Sequence, residues 1–434
     1  MGEPNKLYRI CVLLLLAVFA SNTRAESNWN QFRGAEGSGV SASFPTPQRW
    51  NQVDGIRWTA RITGCGQSSP VVQRDRVDIT SVDNHGQLKI CSYDRSTGEL
   101  RHQIHVGASE IAASENTSLG QTANLAVPTP IADGDLTWAH FGDGTLACAN
   151  VASNTIVWVQ RRPEETAPGS NVIITHSPRM IDGKLFLTSA DSATYRLLSL
   201  DAATGKLLWR QVGRMPDKLS PAVDVCSTPV VLANQHHSKR NPVSLVASIA
   251  NRTFALDLHD ATVAWRSSDA LRTELWQTSA TPVVASDMIV SLPNFEAKPS
   301  NSVVAWKRSN ANDLTFTLSW EHHSRLIHSA PVMVDHLIFL VTVDGIMTCL
   351  DAGTGRVFWQ KRLPDSDYQA SLVAGGGYVY ALSSTGTCCV IKATATFELI
   401  SINRLPGSFV ATPAIDDGVL YLRSDERLYA IDGR

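Results

Sequence analysis

Residues 197–209 read LLSLDAATGKLLW, in which Asp201 is followed by Gly205 after four positions and by Trp209 after eight. The same spacing recurs along the chain, with substitutions, at Asp94, Gly98 and His102; Asn150, Asn154 and Trp158; Asp257, Ala261 and Trp265; Asp351, Gly355 and Trp359; and Lys392, Thr396 and Ile400. A unit of constant shape is therefore repeated, and such repeats decide the fold before any single motif does.

A second element precedes each of these units. It is a small residue followed by Pro and then by a β-branched or apolar run, and it recurs 40 to 60 residues apart. It reads SSPVV (68–72), PTPIA (128–132), HSPRM (176–180), STPVV (227–231), ATPVV (280–284), SAPVM (329–333) and ATPAI (411–415), and without its Pro it reads QASLVA (369–374). Gly- or Asp-containing turns and alternating strand residues lie between the two elements, so each unit predicts four short antiparallel strands.

Four strands per unit at this period are typical of a β-propeller blade. The Asp is expected to accept backbone hydrogen bonds in the hairpin before the outer strand, and the Gly to supply the positive φ of that hairpin. The Trp is expected to fill the gap between neighbouring blades.

The two ends of the chain complete one further blade. The last unit stops at Asp432 with no outer strand after it, while Trp58 lies in an outer strand, GIRWTARI, with no blade before it. Together they would close the ring without a free edge. The sequence thus predicts an all-β, eight-bladed propeller of four-stranded antiparallel blades over residues 55–434, preceded by an N-terminal extension at 26–54.

Residues 1–25 predict a signal peptide. Lys6 and Arg9 precede the short apolar run 10–20, and Thr23-Arg24-Ala25 offers small residues at the usual positions before a cleavage site after Ala25. The chain is therefore expected in the periplasm or cell envelope, or secreted, without a transmembrane span in its mature form. Basic residues do not cluster along the chain, and the formal charge is −2, so a nucleic-acid partner is not expected.

The chain resembles the pyrroloquinoline-quinone-repeat β-propellers over most of residues 50–434. Its opening, WNQFRGAEGSGVS at 29–41, resembles the W-x-x-F-R-G-x-x-G-x-G opening of exported members from planctomycetes and related bacteria, with Ala35 where Pro is common. The dehydrogenases of this family hold quinone and calcium in a funnel on the axis, using carboxylate and amide ligands, an aromatic floor and often two adjacent cysteines. The resemblance also includes an outer-membrane assembly propeller, which binds protein partners.

Cys388 and Cys389 are the only adjacent cysteines, but the repeat places both in the third strand of the seventh blade. Successive strand residues point to opposite faces, so we expect two small core residues there rather than a disulfide at a funnel. No C-x-x-C, G-x-S-x-G, H-E-x-x-H or phosphate-loop pattern occurs. These absences give no support to standard metal, hydrolase or nucleotide sites.

The residues just before each Pro should line the mouth of the ring. The candidates for binding a ligand or partner are Gln67, Ser68, Asn124, His176, Asp224, Glu274, Trp276 and His328. The alternative is that short polar side chains there only satisfy backbone groups at a narrow axis. The sequence favours a non-catalytic binding or scaffold module for envelope proteins or an extracellular ligand, with no cofactor. Two alternatives stay open, a quinone- and calcium-dependent dehydrogenase with a divergent funnel and a carbohydrate-binding propeller.

Overall fold

The structure is a computed structural model. It describes residues 29–109, 124–161, 174–190, 194–214, 227–232, 244–249, 252–258, 262–267, 280–285, 287–292, 301–309 and 315–434. The predicted signal peptide lies outside these residues and stays a prediction. All regular elements of the described residues are strands, and none of these residues forms a helix long and apolar enough to cross a bilayer.

The first two strands belong to blades that are otherwise built from the C-terminal part of the chain. They are β1 (Val40–Ser41) and β2 (Ile56–Arg61). Blade 1 contains β3 (Val71–Gln73), β4 (Arg76–Val82), β5 (Gln87–Asp94) and β6 (Leu100–Ala108). Blade 2 contains β7 (Ile131–Asp133), β8 (Leu136–His140), β9 (Thr145–Asn150) and β10 (Thr155–Arg161). Blade 3 contains β11 (Arg179–Ile181), β12 (Lys184–Ala190), β13 (Thr194–Asp201) and β14 (Leu207–Arg214).

The remaining blades follow in chain order. Blade 4 contains β15 (Val230–Leu232), β16 (Ser244–Ile249), β17 (Arg252–Asp257) and β18 (Val263–Arg266), and blade 5 contains β19 (Val283–Ala285), β20 (Met288–Ser291), β21 (Asn301–Arg308) and β22 (Phe316–Ser324). Blade 6 contains β23 (Val332–Val334), β24 (Leu337–Val341), β25 (Ile346–Asp351) and β26 (Val357–Arg362). Blade 7 contains β27 (Val373–Gly375), β28 (Tyr378–Leu382), β29 (Thr387–Lys392) and β30 (Leu399–Arg404), and blade 8 contains β31 (Ala414–Asp416), β32 (Val419–Arg423) and β33 (Arg427–Ile431).

The predicted eight-bladed ring is confirmed, and both termini contribute to its closure. The described residues form eight sheets, and in the last one β2 pairs antiparallel with β33, so that Trp58 lies opposite Ala430. The N-terminal strand therefore completes the C-terminal blade, as the unfinished repeats at the two ends predict.

The repeated Asp, Gly and Trp hold each outer strand to the next blade. In blade 3 the Asp201 carboxylate accepts hydrogen bonds from the backbone and hydroxyl of Thr204, and Gly205 has a φ of +70°. The Trp158 indole of blade 2 donates to the Ala202 carbonyl at 3.1 Å, and a Cβ on Gly205 would lie 3.0 Å from its ring. The Gly is thus required both by its backbone and by the Trp of the preceding blade.

The same contact recurs around the rim. In each case an outer-strand indole donates to a backbone carbonyl of the next blade: Trp58 to Arg95, Trp265 to Phe316, Trp320 to Ala352 and Trp359 to Thr394. The sequence frame missed Trp320, because the hairpin before it is longer than the repeat expects. In blade 7 the Trp position, opposite Val390, is held by Ser401 rather than by Ile400, because one extra residue lengthens that hairpin.

Cys388 and Cys389 lie in β29 and are buried and free, as expected. Cys388 packs in the core shared with blade 8, and Cys389 packs in the core shared with blade 6. Their side chains point to opposite faces of one sheet. The adjacent pair is therefore core packing on both sides of blade 7.

Candidate functional site

The inner strands begin around one end of the axis, where hydroxyls link neighbouring blades. The N–H of the residue before the Pro in one blade donates to the side-chain oxygen of the equivalent residue in the next. These bonds run from Ser69 to Thr129 (3.0 Å), Thr129 to Ser177 (2.9 Å), Ser177 to Thr228 (2.9 Å), Ala330 to Ser371 (3.0 Å) and Ser371 to Thr412 (3.1 Å). We call these residues the hydroxyl belt. The belt satisfies buried backbone donors that would otherwise be unpaired.

The residue two positions before the Pro bonds within its own blade. Ser68 accepts from the Thr80 N–H at 3.0 Å, and Ser227 accepts from the Ser248 N–H at 2.8 Å. This explains the pairs of small polar residues at the start of the inner strands. Short polar side chains do satisfy backbone groups at the axis, which was the alternative to a ligand site.

A cavity of about 240 Å³ opens inside the hydroxyl belt, on the axis. Every blade contributes to its wall, and Phe32 of the N-terminal segment is part of its lining. Beyond the belt, the lining combines amides and imidazoles with small hydroxyl and apolar side chains: Gln67, Val127, Thr175, His176, His328, Gln369 and Val410. We call this space the axial cavity.

Three of the predicted mouth residues line the axial cavity, namely Gln67, His176 and His328. His176 is buried, with its ring 6.1 Å from that of buried His140, measured between centroids. Desolvation lowers the pKa of His328, and the Asp367 carboxylate acts against that shift. The three predicted side chains thus share one space despite their separation in sequence.

The other predicted mouth residues differ in position. Ser68 is buried behind the cavity wall, and Asn124 accepts from the Ala126 N–H at 3.1 Å. Neither is part of the cavity lining described above. Asp224, Glu274 and Trp276 lie outside the described residues.

The N-terminal segment fills the axis below the cavity. The Trp29 and Asn30 carbonyls accept from the N–H groups of Val72 and Ala132, on the inner strands of blades 1 and 2. The chain then reaches blade 7, where β1 pairs in parallel with β27. We call residues 29–43 the plug. The opening motif by itself does not predict this destination.

Each fixed residue of the W-x-x-F-R-G-x-x-G-x-G motif has a role in the plug. Trp29 and Arg33 are buried, and Phe32 lies under the axial cavity. All three glycines have positive φ. A Cβ on Gly37 would lie 2.5 Å from the Arg179 guanidinium, and one on Gly39 would lie 2.6 Å from that of Arg33. The motif therefore encodes packing inside the channel.

Two fully buried guanidinium groups hold the plug in place, and both donate to carbonyl oxygens. Arg33 bonds to Leu372 at 2.9 Å and Ser38 at 2.8 Å, with further bonds to Gly37, Ala330 and Pro331. Arg179 bonds to Phe32 at 2.9 Å, Gly34 at 3.0 Å and Pro229 at 3.0 Å.

Burial lowers the pKa of each of these arginines to about 9, and for Arg33 the nearby Arg179 adds to the effect. Both pKa values stay above neutral pH. Both groups therefore remain charged at pH 7. No carboxylate of the described residues forms an ion pair with either of them.

The described wall of the axial cavity offers no carboxylate ligand for a calcium-bound quinone. Calcium takes six to eight oxygen ligands, usually including carboxylates. None of the described lining residues is Asp or Glu, and the described parts of the chain hold no group of three His, Cys, Asp or Glu suited to a metal. Among the described lining residues, Phe32 alone could serve as the aromatic floor of a quinone site.

A family model described as outer membrane protein assembly factor BamB matches residues 120–361 and 348–434. The chain belongs to this family. Among curated proteins, this BamB-family chain is 23% identical to BamB of Moranella endobia over 251 residues, which cover 54% of this chain and 59% of that one. It is 25% identical to an uncharacterised protein of Rickettsia conorii over 260 residues, which cover 58% of this chain and 56% of the other.

A shorter match links the chain to an enzyme. Quinoprotein alcohol dehydrogenase PedH of Pseudomonas putida is 27% identical over 114 residues, which cover 26% of this chain and 18% of the enzyme. In all three matches the chain spans less than two thirds of the relative's length.

Two solved structures illustrate the shared fold. BamB from Moraxella catarrhalis superposes with a TM-score of 0.58 at 14% identity, covering 86% of this chain and 95% of that one. Quinohemoprotein alcohol dehydrogenase from Comamonas testosteroni gives a TM-score of 0.62 at 12% identity, covering 94% of this chain and 81% of the other. At these identities the similarity concerns the fold alone, and the propeller is both BamB-like and dehydrogenase-like.

Proposed function

We propose that this BamB-family propeller is an exported binding module without catalysis of its own, and that it presents the mouth of the ring to protein partners in the cell envelope. The observation that carries the proposal is that the protein's own groups occupy most of the axis. Hydroxyls at the mouth are engaged between blades, and the channel below is filled by the plug. What remains is a recess of about 240 Å³ lined by amides, hydroxyls, imidazoles and the apolar side chains of Val127 and Val410.

The family match supports protein partners, because the family model is described as an assembly factor for outer membrane proteins. The predicted signal peptide agrees with an envelope location. The proposal includes no resident cofactor. Its competitor is a quinone-dependent alcohol dehydrogenase, which the PedH match and the position of Phe32 favour.

Turnover separates these two functions. Purified full-length protein should oxidise neither alcohols nor sugars with added pyrroloquinoline quinone, calcium and an artificial electron acceptor. Its melting temperature should not change with quinone and calcium. Saturable oxidation that is lost on His176→Ala would contradict the proposal.

Partner binding is tested by placing a photocrosslinking amino acid at His328, on the rim of the axial cavity, in cells that make the protein. A matched probe at Val53, which is 82% exposed, precedes the outer strand β2 and is not part of the cavity lining, serves as the control. We expect crosslinks to defined envelope proteins from position 328 only. Equal crosslinking from both positions would argue against the mouth as the binding face.

A further inference from the structure

The charge of the described residues around the axial cavity is unbalanced. Every described lining residue is neutral or, for the two histidines, able to become cationic. Two guanidinium groups that are charged at pH 7 lie beneath it. Arg179 donates to the carbonyl of Phe32, which is part of the lining, and Arg33 bonds to the carbonyl of Ala330, another lining residue.

The carbonyl oxygens around these arginines carry only partial charges. They satisfy the N–H donors, but they do not supply a full negative charge as an ion pair would. A described carboxylate that acts on a lining residue is Asp367, which influences His328. It is held by hydrogen bonds from Ser384 at 2.6 Å and Gln369 at 2.8 Å. The described residues thus leave two positive charges under the cavity floor without an anionic partner.

A recess with low-dielectric walls concentrates the field of charges buried behind it. Charges near a protein surface interact several times more strongly than charges in bulk water. An anionic group entering the axial cavity would therefore be attracted along the axis. It would also meet the amide of Gln67 and the hydroxyls of the belt as hydrogen-bond donors, without an opposing described carboxylate in the wall.

The size of the space limits what can enter. About 240 Å³ suits a small organic acid or the last one or two residues of a peptide, and not a folded surface. We propose that the axial cavity binds a carboxylate group, supplied by a small organic acid or by the free C-terminus of a protein partner. This inference rests on the proposed function, because it names what the same mouth recognises.

The first test measures the sign of the field with charges built into the chain. Gln67→Glu should raise the melting temperature of the full-length protein by about 2–4 °C, and Gln67→Lys should lower it by a similar amount. The same substitutions at Gln52, which is exposed outside the channel, provide the matched control and should differ little from each other.

The second test supplies the carboxylate from outside at constant ionic strength. Succinate should raise the melting temperature of the wild-type protein, whereas succinamide should not. A tri-alanine peptide with a free C-terminus should act in the same way, in contrast to its C-terminal amide. A response to succinate alone identifies a small acid as the ligand, and a response to the peptide alone identifies a protein terminus. Gln67→Glu should remove either response.

Equal effects of Glu and Lys at position 67, or no difference between carboxylates and amides, would overturn the inference. This failure is distinct from that of the proposed function. Quinone-dependent turnover would refute the binding module whatever the melting temperatures show. Absence of both turnover and a carboxylate effect would remove only the present inference.

Discussion

The blades are joined by different chemistry at the axis and at the rim. Near the axis the gap is narrow, and short Ser and Thr hydroxyls bond directly to the backbone of the adjacent blade, as between Thr129 and Ser177. At the rim the gap is wide, and an indole fills it while donating one hydrogen bond, as between Trp58 and Arg95. The residue type at each position follows from the width of the gap between the two blades.

Both rings of contacts are interrupted, but at different blades. The hydroxyl belt lacks a side-chain oxygen in blade 6, where Ala330 precedes the Pro. The rim lacks an indole on blade 1, where His102 occupies the Trp position, and on blade 7, where Ser401 does. No blade of the described structure lacks both contacts to its successor. In the described structure each pair of neighbouring blades is therefore joined by a hydroxyl contact near the axis, by an indole at the rim, or by both.

The largest effect is expected from the rim contact that closes the ring. Trp58 is buried between blades 8 and 1, packs on Gly98, and lies 6.1 Å from Tyr421 between ring centroids. Trp58→Ala should lower the free energy of unfolding by about 3–5 kcal/mol, because a large cavity forms where the termini meet. Urea unfolding followed by fluorescence measures it. Trp58→Phe, which keeps much of the ring and loses the hydrogen bond, should cost much less, and equal losses would contradict the packing explanation.

A smaller loss is expected from the hydroxyl belt. Ser177→Ala leaves the buried Thr129 N–H without its acceptor and should lower the free energy of unfolding by about 1–3 kcal/mol. Ser177→Thr, which retains the hydroxyl, should remain close to wild type. Amide exchange at Thr129 is the specific readout, and unchanged protection there would show that the bond is not needed.

A gain is expected where the belt is interrupted. Ala330→Ser would offer an oxygen to the Thr281 N–H of blade 5 and should raise the free energy of unfolding by up to about 1 kcal/mol. Ala370→Ser, one residue out of register in blade 7, is the control. A destabilisation by Ala330→Ser would mean that the space beside Arg33 is too tight for the added oxygen.

The smallest expected effect is on the stability of the fold at acidic pH. Hydrogen bonds from Thr204 lower the pKa of Asp201 below its usual value near 4. A carboxyl with a lowered folded-state pKa stabilises the fold above its unfolded pKa, and this stabilisation is lost as the pH falls. Asp201→Asn should therefore slightly reduce the loss of stability between about pH 5 and 3. Identical pH profiles for the two proteins would show that the hairpin bond does not depend on the charge.

The propeller fold could be predicted because its characteristic residues recur at fixed spacings in the sequence. Asp201, Gly205 and Trp209 recur in register, and the unfinished repeats at Trp58 and Asp432 predict the shared blade. The failures have a local cause. Longer hairpins moved Trp320 and Ser401 out of the frame, because spacing is fixed only where the turn length is fixed.

The candidate site was predictable only in part. Position relative to the Pro placed Gln67, His176 and His328 at the mouth, but it could not tell which hydroxyls bond to neighbouring blades. The plug was missed because its contacts join residues about 40 to 340 positions apart. One signal was present in the sequence, since Arg179 stands where the other inner strands begin with Val, Ile or Ala.

The plug also constrains the order in which the parts of the propeller can fold. Arg33 is synthesised early, yet its carbonyl partners include Pro331 and Leu372, which are synthesised late. Strand β2 likewise waits for β33, near the C-terminus. A nascent chain that lacks these late residues has neither the β2–β33 pair nor these bonds of Arg33, so the closed ring requires residues from both ends of the described structure. The N-terminal segment of this protein therefore finds its partners only when the C-terminal blades have been synthesised.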